Sequence, residues 1–199
     1  MPNLDPHLAL ARCPHCGVDR PSLAQVTAFN TADYNNSSEK TWAFYKCARC
    51  GSVTTAYANK GSRIVQKMYP SPIEVDETIP GRSKEYLEQA INSISAPAGA
   101  VMLAASSVDA MLKAKGLTEG SLYSRIKKAA EQQRITEQME EWAHDVRLDA
   151  NDQRHADDGA PLPTPEDATR VIDFVQALGM FLFVLPARVK RGITDAKGC

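Results

Sequence analysis

The residues of this 199-residue sequence that could do chemistry gather in two cysteine pairs and one polar helical stripe. The pairs are Cys13-Pro-His-Cys16-Gly17 and Cys47-Ala-Arg-Cys50-Gly51, separated by thirty residues. Two residues between the sulphurs and a glycine directly after form the pattern of a zinc knuckle. The turn brings backbone N–H groups towards the thiolates, and glycine relieves its tight geometry. Cys13, Cys16, Cys47 and Cys50 would supply four soft ligands for a closed, tetrahedral, structural Zn2+ site. The competing reading is a pair of redox CxxC motifs, but no strand–helix unit of the thioredoxin type surrounds either pair. His15, inside the first knuckle, could compete as a ligand, although four thiolates already complete the shell. Cys199, the terminal residue, stands apart from both pairs.

The stripe lies in Trp142-Ala-His-Asp-Val-Arg-Leu-Asp-Ala-Asn-Asp-Gln-Arg-His155. Wound at about 100° per residue, this segment sorts into faces. Ile135, Met139, Trp142, Ala143, Val146 and Ala150 form an apolar stripe that would face a core. His144, Arg147, Asn151 and His155 fall on a second face, and Asp145, Asp149 and Asp152 on a third. An imidazole near neutrality can move protons, and a guanidinium can hold a phosphate, so Arg147, Asn151 and His155 are candidate catalytic residues. The structural alternative has Arg147 paired with Glu140 or Asp167, Asn151 capping the helix, His155 satisfying loop backbone and His144 half-buried in packing. Eight residues of helix set Arg147 about 12 Å from His155 along the axis, so the two reach one phosphate only if the helix bends or a second subunit contributes. The nearby acids, Asp157 and Asp158 included, would repel RNA.

The elements that must position these groups change character along the chain. Residues 1–12 read as a loose lead-in. Leu23–Phe29, Thr41–Lys46, Ser52–Tyr57 and Ile64–Tyr69 have the alternation and β-branched or aromatic content of short strands. The expected domain plan is a zinc ribbon over 1–69, a proline-rich linker over 70–82, a helical bundle over 83–192 and a tail over 193–199. Five helices are predicted in the bundle. The first carries Tyr86, Leu87, Ala90, Ile91 and Ile94. The second has Pro97 in its first turn, ends before Gly116, and is so rich in alanine and serine that close helix approach is expected. The third is capped by Ser121 and the fourth by Thr136. The fifth starts at Thr164-Pro-Glu-Asp167, runs to Leu185, and ends or kinks at Pro186. Its run Phe181–Leu185 is apolar all round, so the bundle or a second subunit should enclose it.

Composition is that of a globular protein: 43% hydrophobic, 24% charged, net charge −1. No secretory start is visible, and the longest apolar run is about half a bilayer span, so a cytoplasmic protein without a membrane partner is expected. The overall charge gives no nucleic-acid signature, but residues 1–69 carry eight Lys or Arg against four Asp or Glu. Lysines and arginines there interleave with Trp42, Phe44, Tyr45 and Tyr57, which could hold phosphates and stack bases. The alternative, expected for at least half of these aromatics, is the ribbon's own small core.

The alanine-rich second helix, the Trp142-Ala-His-x-x-Arg147 stretch with Asn151 and His155, and a capped last helix ending Phe-Val-Leu-Pro-Ala-Arg188 resemble an uncharacterised bacterial family. It is the domain of unknown function numbered 4145, grouped with the HEPN helical domains, and the resemblance covers roughly residues 83–190. It implies a mostly α protein: a HEPN-like bundle of four or five helices that dimerises, behind a small β zinc ribbon. Many HEPN relatives are metal-independent ribonucleases of toxin–antitoxin and phage-defence systems, and others are inactive or binding modules. Their active pattern is an arginine four to six residues before a histidine, with a polar residue after the arginine. His155 and Asn151 match this pattern, but Ala150 occupies the arginine position, and Arg147 lies further from His155 than the pattern allows. The leading expectation is therefore a binding or regulatory component of a bacterial defence or nucleic-acid-linked system, with RNA, DNA or a protein as partner. The alternative is an endoribonuclease using His155 and Arg147.

Overall fold

In the computed structural model, described over residues 2–155, Gly159 and 161–197, the chain forms two units, Met1–Ile73 and Glu74–Cys199. Each has its own apolar core.

The N-terminal unit is a four-stranded antiparallel meander: β1 (Leu23–Thr31), β2 (Lys40–Cys47), β3 (Val53–Asn59) and β4 (Lys67–Tyr69), in that order. Alternation places Ala43, Tyr45 and Cys47 of β2 on the buried face, with Ala56 and Met68 of the next strands. The β1–β2 register shifts between Gln25 and Thr27, leaving Val26 exposed without a partner. This β-bulge has a parity consequence. Leu23 pairs with Cys47 on the buried face, and an even step along a regular strand would keep Phe29 there too. One extra residue reverses the alternation, so Phe29 pairs with Trp42 on the opposite face. The lead-in is not loose. Leu8 is 1% exposed in the core, and backbone bonds Val65 N–H to Pro2 O (3.0 Å), Gln25 N–H to Pro6 O (2.8 Å) and Leu8 N–H to Leu23 O (3.0 Å) tie it to the strands. Burying one leucine forces that segment's backbone to find partners, which the sheet edge supplies.

The C-terminal unit packs α1 (Gly81–Asn92), α3 (Leu122–Glu131), α4 (Glu137–His155) and α5 (Pro165–Gly179) around α2 (Pro97–Ala114). Ala100 and Ala104 of α2 are fully buried, so the small residues do allow close neighbours. The stretch 70–82, expected as a linker, is shared: Ile79 is buried in the helical core and Val75 packs against it. The last predicted helix does not stop at Pro186. Met180–Val184 forms a π-helical turn, closed by the Leu185 N–H on the Met180 carbonyl, and α6 continues as Leu185–Lys197. Proline lacks an N–H and crowds the carbonyl four residues back; the wider turn just before it absorbs that mismatch. The helical run Pro165–Ala196 is long and apolar enough to cross a bilayer, but half of its apolar window is buried within the protein, as in a core helix.

At the start of α5, Thr164 Oγ1 accepts from the Asp167 N–H (3.2 Å), and Asp167 accepts from the Thr164 N–H (2.9 Å). This capping box holds the Asp167 carboxyl below its ordinary value, chiefly through the Thr164 backbone N–H. Thr164→Ala should lower stability by about 1 kcal/mol, read as a shifted urea midpoint. A depressed carboxyl stabilises fully above the unfolded value of about 3.9, and that contribution is lost as pH falls through the lower folded value. The stability gap between the wild type and Asp167→Asn should therefore shrink below about pH 4.

Candidate metal centre and sheet face

The two knuckles close with the same hydrogen bonds. Gly17 N–H donates to Cys13 O (2.9 Å) and Cys13 N–H to Val18 O (3.0 Å); Gly51 N–H donates to Cys47 O (2.9 Å) and Cys47 N–H to Ser52 O (3.0 Å). Gly17 and Gly51 sit at φ +66° and +74°, the left-handed region that costs glycine little. The first knuckle precedes β1 and the second ends β2, and the pairing Leu23 with Cys47 draws them together. As a result, the sulphurs of Cys13, Cys16, Cys47 and Cys50 all lie within 4.8 Å of one another, with Cys13 and Cys50 at 4.0 Å. Four soft donors at this spacing fit one tetrahedral cation. His15 stays outside the group and donates from Nε2 to the Val53 carbonyl at 2.9 Å. The sulphurs are electrostatically unequal. Burial pushes the Cys13 thiol up to about 12, while hydrogen bonding from Ser52 pulls the exposed Cys50 down to about 6.

On the opposite face of the sheet the aromatics collect. Trp42 lies 4.6 Å from Tyr57 between ring centroids and 6.4 Å from Tyr69, and Phe29 stacks on Phe44 at 5.8 Å. Phe29 and Tyr69 are 47% and 45% exposed. Lys40 Nζ sits 4.9 Å from the Tyr57 ring and Lys67 Nζ 5.2 Å from the Tyr69 ring. At least half of Trp42, Phe44, Tyr45 and Tyr57 are expected in the ribbon's core, but among the described residues only Tyr45 joins it, because the other three lie on the opposite face of the sheet. The Tyr45 hydroxyl donates to Asp5 O (2.9 Å), and burial raises its pKa to about 12. Phe29 and Tyr69 escaped the sequence reading because the bulge and strand register, rather than any local motif, align them with Trp42.

The polar stripe of α4 serves packing over its first half. The His144 ring stacks on Tyr123 of α3 at 4.7 Å, and the Arg147 guanidinium lies 5.5 Å from the same ring. His144 Nε2 is 3.7 Å from Glu140, while His144 Nδ1 and Arg147 Nε are buried without a hydrogen-bond partner among the described residues. Asn151 is exposed one turn further on. The helix continues through His155, whose side chain lies outside the described residues, as do Asp157, Asp158 and Cys199. Arg147 is therefore committed to Tyr123, about 12 Å along the axis from His155. On the acidic face, burial raises the Asp149 carboxyl above its usual value.

Residues 82–195 match a family model described as a domain of unknown function, DUF4145. The chain belongs to this family. No curated protein and no solved structure matched. The DUF4145 region spans α1 to α6, so the cysteine cluster lies in the part of the chain that the family model leaves unmatched.

Purified protein should carry about one zinc ion per chain by elemental analysis, and Cys47→Ser should lose most of it. Chelation should unfold the N-terminal unit, read as lost chemical-shift dispersion of its strands, because a core this small depends on the metal for much of its folding free energy.

Proposed function

We propose that this DUF4145 chain is a zinc-stabilised, non-enzymatic binding module that engages single-stranded nucleic acid through its sheet face. In this reading its helical unit is a HEPN-like bundle, and the chain is a cytoplasmic component of a bacterial defence or nucleic-acid-linked system. The observation that carries the reading is the cluster of Phe29, Trp42, Phe44, Tyr57 and Tyr69 on one face, with Lys40 and Lys67 over two of the rings. Every base has a π-face, so such a surface gains about 1–3 kcal/mol per stacked base without reading sequence, while the lysines hold phosphates. The eight-to-four excess of basic over acidic residues in 1–69 works in the same direction. Ribonuclease chemistry by Arg147 and His155 is the weaker reading, because Arg147 is occupied on Tyr123.

A fluorescently labelled single-stranded oligonucleotide should bind with a polarisation change that weakens steeply with salt. Trp42→Ala and Tyr57→Ala should each reduce affinity about tenfold or more. No binding at about 100 μM protein in low salt would overturn the proposal and leave a protein partner for the sheet face. The non-enzymatic part is tested with mixed RNA and chelator: cleavage that disappears in His155→Ala would restore the ribonuclease reading.

The helical unit also supports a homodimer. Phe181, Leu185, Val189 and Ile193 are spaced four apart and exposed by 38–53%, and α6 packs chiefly on the π turn. Light scattering at micromolar concentration should give a dimer mass that Leu185→Glu with Val189→Glu reduces to that of a monomer.

A further inference from the structure

The four clustered sulphurs differ in where they sit. Cys13 and Cys47, the first cysteines of their pairs, are 2% and 0% exposed and belong to the core of the N-terminal unit. Cys16 is half-buried, and Cys50 is exposed, as are its neighbours Ala48, Arg49 and Gly51. Each knuckle therefore anchors one sulphur inside and turns the other outward, and the second knuckle turns its outer sulphur furthest. Behind Cys50, Cys13 Sγ lies 4.0 Å away across the two knuckles, although the residues are 37 apart in sequence. An accessible thiolate with a second sulphur in contact behind it is the arrangement that a peroxide oxidises to a disulfide.

One strand links this cluster to the aromatic face. β2 ends at Cys47, and alternation turns Ala43, Tyr45 and Cys47 to the buried side and Trp42 and Phe44 to the other. Order at the ligand end of β2 therefore sets the placement of two central rings of the face.

We propose that the cysteine cluster is a peroxide-responsive switch: oxidation joins Cys50 to Cys13, empties the metal site and weakens the sheet face. The Cys50 thiolate attacks one oxygen of hydrogen peroxide. An S–O bond forms, the O–O bond breaks, hydroxide leaves, and Cys50 becomes a sulfenic acid. The Cys13 thiolate then attacks that sulphur. The S–S bond forms, the S–O bond breaks, and a second hydroxide leaves. In sum, two thiolates, one peroxide and two protons give one disulfide and two waters, with two electrons passing from sulphur to the peroxide oxygens. Cys16 and Cys47 remain, too few donors for a closed tetrahedral site. Because the new bond crosses the knuckles, it keeps the two turns together, and reduction by a dithiol returns four sulphurs to one place. The effect on the sheet face rests on the nucleic-acid reading above; the oxidation and the loss of metal do not.

The test uses the zinc-loaded full chain carrying Cys199→Ser, so that the four clustered cysteines are its only thiols. A small excess of hydrogen peroxide should release most of the zinc to a colorimetric chelator. Peptide mapping by mass spectrometry should then find Cys13 joined to Cys50, and a dithiol with added zinc should restore the metal content. Cys50→His keeps a donor at the fourth position but no outward thiol, and should release zinc about tenfold more slowly. Zinc retained under peroxide, release as fast in Cys50→His, or a map lacking the Cys13–Cys50 bond overturns the proposal. Where Cys50→His fails to load zinc, the map of the parent chain decides. A labelled oligonucleotide should bind the oxidised chain about tenfold or more weakly than the reduced one. Binding unchanged after complete zinc release overturns the link to the sheet face. If the reduced chain binds no oligonucleotide, the nucleic-acid reading fails by itself, and the switch is still decided by released zinc and the disulfide map.

Discussion

Four cysteine sulphurs held within 4.8 Å of one another form the constraint on which the N-terminal unit depends. Packed this closely, four thiols gain little, and four thiolates repel; a shared cation turns the same geometry into the largest local stabilisation. The sheet itself is small. Its buried face offers chiefly Leu23, Ala43, Tyr45, Ala56 and Met68, with Leu8 and Val65 added from outside the strands. Two of the four sulphurs, Cys13 and Cys47, belong to that same core, so loss of the cation would expose core and ligands together. With a cation bound there, the aromatic face could remain on the outside, because the metal would supply cohesion that a larger hydrophobic core would otherwise have to provide.

The helical unit is held by shape. Its central helix, α2, is buried along Ala100, Val101, Ala104 and Val108, and the neighbouring helices come close because those side chains are small. Gly179 marks another close approach: a Cβ there would sit 2.6 Å from the Ile79 side chain. Ile79 precedes α1 in the chain, so the segment between the two units is pinned on its C-terminal side by packing in this core. The two halves of α4 are used differently. Ala143, Val146 and Ala150 seal the core, while His144 and Arg147 clasp Tyr123 from α3.

Much of this was legible in the sequence for identifiable reasons. The cysteine pairs declare themselves by spacing, the helix starts at Ser121, Thr136 and Thr164 by their capping hydroxyls, and the start of α2 by Pro97 in its first turn. The apolar stripe of α4 follows from its period alone. Three things were hidden. Residues 2–12 are fixed by long-range pairing with strands that follow them, which no local pattern encodes. Pro186 signals a stop or a kink, but the π turn that lets the helix run on past it is a backbone adjustment that the residue type does not specify. The polar stripe looked like a site because periodicity groups side chains by angle but not by partner, and the partner of its first half, Tyr123, lies on another helix.

The Val26 bulge bears on how relatives of this chain should be compared. In β1, the side of the sheet a residue faces depends on how many residues precede it, counted from Leu23. A relative with one residue fewer there would present the same amino acids in the same order, yet turn its equivalent of Phe29 inward and empty one end of the aromatic face. In that strand a single gap would matter more than several substitutions, and sequence identity would be a poor guide to whether the face is retained.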